Sequence, residues 1–213
     1  MNSRDMILEK LHAGAASGHT SAKVMTAREP GGGDVQVFIL KAAAAGAGVT
    51  RTSSAAAVET IKSIFQESGC KSIMLSDEKI IKELGIQNIT QEIGIDCRYT
   101  DDFPGEAYRR KVLQVEGGVS GCDYALSDSG SLVILHNGSN QRLLSLAPDI
   151  YFCLVKTSQM LKDRYDLAAI LEQKGMPAAV TLITGVSRTA DVALQVVLGM
   201  HGPRKVYIVL IED

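Results

Sequence analysis

Apolar segments of strand length alternate along this chain with segments of helical periodicity, and this alternation constrains the fold more than any other feature. Residues 206–211 form an unbroken run of aliphatic and aromatic residues, which is typical of a strand buried on both faces of a sheet. Further upstream, Ala57, Ile61 and Phe65 recur at the spacing of one helix face. Strands that alternate with helices predict an α/β fold with a mostly parallel sheet and helices on both faces.

The same patterns divide the chain into two parts. Residues 13–34 are rich in Gly, Ala, Ser and Thr and lack periodicity, so we predict an N-terminal helix and a flexible arm over 1–34. The arm can pack on a second subunit of a homo-oligomer or stay mobile, and both alternatives remain open. Residues 35–213 are expected to form a single α/β domain. The predicted strands are 49–52, 72–75, 123–126, 132–135, 150–156, 179–184 and 205–211, and the predicted helices are 4–11, 54–68, 77–84, 163–174 and 188–198.

Charge and hydropathy exclude several classes of protein. The chain has 22 Lys and Arg against 24 Asp and Glu, a formal net charge of −2, so it lacks the basic excess of a nucleic-acid-binding protein. No uncharged apolar run approaches the length of a membrane span. The first ten residues include Arg4, Asp5 and Glu9, which is unlike a secretory signal. We therefore expect a cytoplasmic protein without a membrane span.

The cysteines and histidines are spaced too widely for a metal centre. Cys70, Cys97, Cys122 and Cys153 form no C-x-x-C pair, and no two of the four histidines have the spacing of an H-x-H or H-E-x-x-H motif. Buried free thiols are the simpler interpretation. The sequence therefore predicts that this chain binds no iron–sulfur cluster, zinc or other cofactor by itself.

One candidate site is the small-residue turn Asp128-Ser129-Gly130-Ser131, which directly precedes an apolar strand. Hydroxyl residues beside a glycine leave backbone N–H groups open, and such groups can hold a phosphate or a carboxylate. The alternative is an ordinary hairpin turn, in which Asp and Gly are common for conformational reasons.

A second candidate site follows the predicted strand 179–184, where a helix is expected to begin. Ligands bind at the carboxyl ends of strands in open α/β sheets, and Gly185 leads into this junction. Arg188 can supply a bidentate positive charge next to the open N–H groups of a helix start, with Thr189 beside it. Ser187 and Asp191 also suit a helix cap and a first helical turn, which are structural roles.

The segment after that helix carries His201 and Arg204, a potential proton carrier and an anion clamp. A surface loop between helix and strand explains both residues equally well. Such a loop lies opposite the carboxyl ends of the strands, so His201 is not expected to share a pocket with Arg188. The acidic residues Glu116 and Asp123 can act as general bases only if they are buried. There is no G-x-G-x-x-G, Walker or G-x-S-x-G motif.

Three of these stretches together resemble the LUD-domain family. They are residues 119–133, 185–191 and 199–204, and their order and spacing carry the resemblance. The family usually has Thr-Gly-Thr where this chain has Ser129-Gly130-Ser131, and a proline where this chain has Val186.

The resemblance implies a Rossmann-like fold of the type found in ribose-5-phosphate isomerase, glucosamine-6-phosphate deaminase and CoA transferases. It also implies a role in the oxidation of L-lactate to pyruvate, as a subunit beside partner proteins that carry the iron–sulfur clusters. Mapped onto this sequence, the motif positions expected to line a pocket for a small carboxylate or phosphate are Asp128, Ser129, Gly130, Ser131, Gly185, Ser187, Arg188, Thr189, Asp191 and His201.

Two other functions remain open at this point. One is a stand-alone enzyme of the sugar-phosphate isomerase or CoA-transferase class, in which Asp123, Asp128 or Glu116 acts as base. The other is a binding or regulatory module without turnover. Dependence of activity on partner proteins distinguishes the subunit from the stand-alone enzyme.

Overall fold

The computed structural model describes residues 31–136, 142–190 and 196–213, together with positions 4, 6, 7, 9 and 10, which are helical. These last positions fall inside the predicted helix 4–11. Most of the predicted arm lies outside the described residues. Its last residues contact the domain, because Gly32 forms a β-bridge with Leu161 and the Gly33 N–H donates to the Met160 carbonyl over 3.2 Å.

A six-stranded sheet forms the centre of the protein, and all of its neighbouring strands are parallel. The order of the strands is β1-β12-β7-β4-β2-β3. This confirms the parallel α/β architecture that the alternating pattern predicts. The strands are β1 (Gly48–Ser53), β2 (Ser72–Leu75), β3 (Asp96–Tyr99), β4 (Gly117–Gly121), β7 (Ile150–Lys156) and β12 (Lys205–Glu212).

A smaller four-stranded sheet packs beside the parallel sheet, in the order β8-β5-β6-β9. Its strands are β5 (Tyr124–Leu126), β6 (Ser131–His136), β8 (Met160–Leu161) and β9 (Ala179–Ile183). The turn at residues 127–130 joins β5 to β6 as an antiparallel hairpin, and β9 pairs antiparallel with β6. The predicted strand at 179–184 therefore exists, but it belongs to this second sheet.

Helices cover both faces of the parallel sheet. The helices are α1 (Val35–Ala44), α2 (Ala57–Ser68), α3 (Lys79–Glu83), α4 (Ile86–Glu92), α5 (Glu106–Val112) and α6 (Arg164–Lys174). Alternate residues of β7 face opposite cores, as the two-residue period of a strand requires. Phe152 packs with α2, α3 and α4, whereas Tyr151 and Cys153 pack with α1 and the small sheet. α5 lies on the same side as α1, against Met74.

The predicted helix at 188–198 is wrong. Arg188–Ala190 (β10) and Val196–Leu198 (β11) are extended and pair antiparallel as a hairpin, and residues 191–195 lie outside the described residues. This stretch is apolar nearly all round and rich in β-branched residues. Those properties favour strands as much as a deeply packed helix, because β-branched side chains are stiff and suit a pleated surface.

The elements that were not predicted from the sequence are α1, α4, α5, β3, β4 and β8, together with the short 3-10 turns. α1 begins at Asp34, whose carboxylate accepts hydrogen bonds from the Gln36 and Val37 N–H groups. β4 has the sequence Gly-Gly-Val-Ser-Gly, and glycine is depleted in strands. Among the described residues, no helix is long and apolar enough to cross a membrane.

We predict that Gly130→Ala destabilises the fold far more than Gly69→Ala. Both glycines have positive φ values, +68° and +71°, so alanine strains the backbone at either position by about 1–2 kcal/mol. A Cβ at Gly130 would also lie 2.2 Å from the Ala42 backbone nitrogen, whereas a Cβ at Gly69 meets nothing within 4 Å. The total loss at Gly130 should reach about 3 kcal/mol or more. Urea unfolding of both variants measures the difference, and equal losses would contradict the close contact between the turn and α1.

Candidate functional site

The connections that follow β2 and β4 leave the parallel sheet in opposite directions. After β2 the chain enters α3, and Ile81 of α3 packs on the face that carries Phe152. After β4 the chain enters the small sheet, and Leu132 of β6 packs on the opposite face with Tyr151. β2 and β4 are neighbours in the sheet. A crevice therefore opens between their carboxyl ends, which is where open α/β sheets bind ligands.

A pocket lies at this crevice, and we call it the inner pocket. The space open to the centre of a water-sized molecule is about 20 Å³, which is room for about one water. Several of its polar residues are almost fully buried, and His136 and Ser145 are each only 3 % exposed. The residues that line the inner pocket are Ser76, Glu78, Ser120, Ile134, His136, Leu144 and Ser145.

The glycines of β4 allow other segments to approach this pocket closely. A Cβ at Gly118 would lie 2.3 Å from the Leu144 carbonyl oxygen, so only glycine lets the turn Arg142–Ser145 rest on the strand. A Cβ at Gly121 would lie 3.1 Å from Glu78 Oε2. Glycine inside a strand often marks such a close approach. In this chain it brings Glu78 and Ser145 to the same pocket.

Hydrogen bonds fix the polar walls of the inner pocket. Oε2 of Glu78 accepts from the Gly121 N–H, and the Ser76 hydroxyl donates to the same oxygen over 2.8 Å. The hydroxyl of Ser120 lies 2.6 Å from the Tyr151 hydroxyl, and His136 Nε2 lies 2.8 Å from Thr181 Oγ1. The carboxylate and the imidazole are therefore held in place by the fold before any ligand arrives.

A second, more open depression brings together three residues that the sequence predicted, and we call it the outer cleft. Gly185, Ser187 and His201 all line it, and its empty space is about 520 Å³ including open solvent. The Ser187 N–H donates to the Pro203 carbonyl over 2.9 Å, which holds the two segments side by side. The residues that line the outer cleft are Ser145, Leu146, Thr181, Leu182, Ile183, Thr184, Gly185, Val186, Ser187, His201, Gly202 and Pro203.

Arg188 does not line the outer cleft. β10 is extended, so neighbouring side chains point to opposite sides, and a Cβ at Gly46 would lie 2.9 Å from the Arg188 Nη2 atom. The guanidinium therefore lies towards the turn after α1. It is exposed, and it forms no ion pair within the described part of the chain. Thr189 pairs with Val197 in the hairpin, while Asp191 lies outside the described residues.

Many of the polar groups in the turn at residues 128–131 already form hydrogen bonds with other groups of the protein. The Gly130 N–H donates to the Leu126 carbonyl over 2.9 Å, and the Asp128 N–H donates to the Lys162 carbonyl over 3.0 Å. The Ser131 hydroxyl donates to Ser129 Oγ over 2.9 Å and lies 2.7 Å from Thr184 Oγ1. Because Thr184 lines the outer cleft, the turn adjoins the cleft through that contact.

The two acidic residues that flank β4 differ in environment. Glu116 is exposed at the amino end of β4, where it accepts a hydrogen bond from the Lys71 N–H over 2.7 Å. Asp123 is half-buried and accepts from the Leu135 N–H over 2.7 Å. Burial raises the pKa of Asp123, and the Leu135 hydrogen bond and the nearby His136 act in the opposite direction. Of the two, Asp123 lies nearer the candidate site.

The four thiols are free and hold no metal site together. Burial raises the pKa of Cys70 to about 11 and also raises the pKa of Cys97. A hydrogen bond with Cys153 and burial raise the pKa of Cys122 well above its ordinary value. These three thiols are therefore protonated at neutral pH, and thiolates are the metal-binding form. Within the described ranges, no three His, Cys, Asp or Glu side chains cluster as metal ligands do.

The sequence did not identify the inner pocket, because its walls come from four segments that are distant in the chain. The available signal was the glycine pattern of 117–121, in which three glycines interrupt a buried strand. Glu78 carries no motif of its own, and His136 stands at the end of an apolar run.

Together, the parallel sheet, the added mixed sheet and the crevice between them define an α/β protein with a polar crevice at a switch point. The model of the LUD domain family matches residues 35–211. The chain belongs to this family, and the resemblance of the three sequence motifs is thereby confirmed.

The sequence alignments with related proteins cover most of this chain. It is 32% identical over 169 residues to the uncharacterized protein YkgG of Escherichia coli, covering 76% of this chain and 72% of that protein. It is 26% identical over 162 residues to lactate utilization protein C of Anoxybacillus flavithermus, and this alignment covers 76% of this chain and 73% of that protein. A DUF162 family protein from Deinococcus radiodurans has a crystal structure that matches with a TM-score of 0.59. That match covers 83% of this chain and 94% of the other at 20% identity, and it supports the fold alone.

We predict that Asp123→Asn changes how stability depends on pH. Because burial raises the pKa of Asp123, the folded protein binds this proton more tightly than the unfolded chain. The stability of the wild type should therefore fall, relative to the variant, as pH rises from about 4 through the raised pKa. The asparagine oxygen can still accept from the Leu135 N–H. Urea unfolding across this pH range measures the effect, with Asp128→Asn as the control for removal of an exposed carboxylate. A constant difference between variant and wild type would contradict the prediction.

We also predict that the purified protein contains no stoichiometric iron or zinc. The wide spacing of the cysteines and the raised pKa values of Cys70, Cys97 and Cys122 both disfavour metal binding. Elemental analysis of protein that was purified without chelators tests this expectation, and one metal ion per chain would overturn it.

Proposed function

We propose that this protein is a cofactor-free component of an L-lactate utilization system in the cytoplasm. It acts with iron–sulfur proteins that oxidise lactate to pyruvate, and it binds a small carboxylate in the outer cleft. The observation that carries the proposal is the match to several proteins named lactate utilization protein C, at 24–26% identity over about three quarters of this chain.

The outer cleft has suitable chemistry for a small carboxylate. Ser187 offers a hydroxyl donor and His201 a ring N–H donor. Arg188 follows Ser187 in the chain, and its exposed guanidinium lies towards Gly46 in this structure. It has no ion-pair partner among the described residues, so it would bind an anion in the cleft after its long side chain turns. These groups come from the two segments that match the family motifs.

The redox chemistry of lactate oxidation explains why partner proteins would be needed. Oxidation of lactate to pyruvate removes two electrons, and this chain offers no cluster-binding cysteine motif to receive them. Partner proteins with iron–sulfur clusters would accept the electrons, while this chain would bind the substrate or connect the partners.

Affinity purification of the tagged full-length protein from lactate-grown native cells tests the partnership. Two cysteine-rich iron–sulfur proteins that co-elute in constant proportion would support the proposal. Recovery of this chain alone, together with turnover of a sugar phosphate or a CoA ester by the isolated protein, would instead favour the stand-alone enzyme.

We predict that Arg188→Ala abolishes the L-lactate-dependent activity of the assembled system while the fold stays intact. The side chain is exposed, so its removal should change the free energy of unfolding by no more than about 0.5 kcal/mol. Arg98→Ala is the matched control, because Arg98 is exposed on the edge strand β3. Activity of the reconstituted system and urea unfolding of both variants are the measurements. Normal activity of Arg188→Ala would remove this residue from the site.

A further inference from the structure

The outward face of α1 is apolar, and no described residue covers it. Eight of the ten residues of α1 are apolar, in the sequence Val-Gln-Val-Phe-Ile-Leu-Lys-Ala-Ala-Ala. Phe38 and Ala42 are fully buried on the inward side, whereas Val37 is 37 % exposed and Leu40 is 70 % exposed. A helix that is apolar nearly all round is normally buried on all sides. α1 therefore has the composition of a helix that is covered, but it lies at the surface of the chain.

α2 shows the composition that an ordinary surface helix has. Its outward positions include Glu59, Ser63 and Gln66, which are polar and exposed. The inward positions of α2 are apolar, so this helix is amphipathic, as a helix with one solvated face should be. The outward face of α1 differs because it exposes a contiguous apolar surface, and such surfaces mark sites of protein–protein contact.

The exposed apolar residues of α1 form a stripe, and two charged residues lie beside it. Val37, Leu40 and Ala44 are exposed and have the i, i+3, i+7 spacing of one helix face. At roughly 100° per residue, Asp34 and Lys41 fall on the same flank of this stripe, near opposite ends of the helix. Both are exposed, and neither forms an ion pair within the described part of the chain.

We propose that α1 packs antiparallel on α1 of a second copy of this chain, about a two-fold axis, and that this contact makes a homodimer. In such a pair, each flank of one helix faces the same flank of the other helix with its direction reversed. Lys41 of each copy therefore approaches Asp34 of the other copy. Two symmetric ion pairs then border the apolar stripe, and the antiparallel helix dipoles also attract each other.

The size of this contact sets the strength of the dimer. α1 has ten residues and is therefore about 15 Å long. A contact of this length is small for a stable interface, so the dimer should dissociate on dilution. The outward face of α1 shares no residue with the outer cleft. The inference is therefore independent of the proposed lactate function.

Sedimentation velocity of the full-length protein over a concentration series tests the dimer. The wild type should shift from the mass of one chain towards the mass of two as its concentration rises. Leu40→Lys places a charge in the stripe of both copies and should raise the dissociation constant about hundredfold or more. The matched control is Leu113→Lys, because Leu113 follows α5 and is also 70 % exposed. It should leave the dissociation constant unchanged.

A double-mutant cycle tests the antiparallel arrangement. Lys41→Glu should weaken the dimer because it brings two carboxylates together at each end of the helix pair. Adding Asp34→Ser removes this repulsion and keeps a side-chain cap for α1, so part of the affinity should return. Within one chain the two positions are about two turns apart. The free energy of unfolding of the monomer should therefore show no such coupling.

Two results would overturn the homodimer. One is a wild type that keeps the mass of one chain at every concentration; if Leu40→Lys then also lowers the stability of that monomer, another part of the same chain covers α1. The other is a dimer that Leu40→Lys leaves intact. Equal dissociation constants with and without Asp34→Ser in the Lys41→Glu protein would overturn the antiparallel arrangement.

Discussion

The close approach of two segments to the glycines of β4 is the contact on which the candidate site depends. Glu78 bonds to the backbone of Gly121 from one side of the crevice, and the turn Arg142–Ser145 rests on Gly118 from the other. Any larger side chain at Gly118 would meet the Leu144 carbonyl and push the turn away. The sheet gains little from glycine in a central strand, so the composition of β4 is best understood as a requirement of the crevice beside it.

The two depressions differ in chemistry because they are built from different layers. The inner pocket lies between the parallel sheet and the small sheet, where burial is nearly complete and Glu78 is held by backbone and hydroxyl donors. The outer cleft lies on the small sheet and the hairpin segment, and it is open to solvent. The outer cleft is open to soluble molecules, whereas the fixed carboxylate of Glu78 disfavours an anion in the inner pocket.

Local patterns were sufficient to predict much of the fold but little of the site. β2 and β7 have the predicted bounds, because a continuous apolar run has one favourable environment, the interior of a parallel sheet. The helix predicted over 188–198 is wrong because a run that is apolar nearly all round has no period that distinguishes a helix from a strand.

The site residues Ser187 and His201 were identified by motif, but they meet in one cleft only because the Ser187 N–H donates a hydrogen bond to the Pro203 carbonyl. The inner pocket depends on contacts between residues 78, 121 and 145, and no local pattern encodes such contacts.

Ser145 lines both the inner pocket and the outer cleft, and Thr181 of the outer cleft contacts His136 of the inner pocket. The two sites therefore have a common wall. A molecule that displaces this wall from one side changes the free energy of binding on the other side, and thermodynamic linkage makes the effect equal in both directions. A substitution at Ser145 would therefore alter both depressions at once, and neither wall can be changed there without the other.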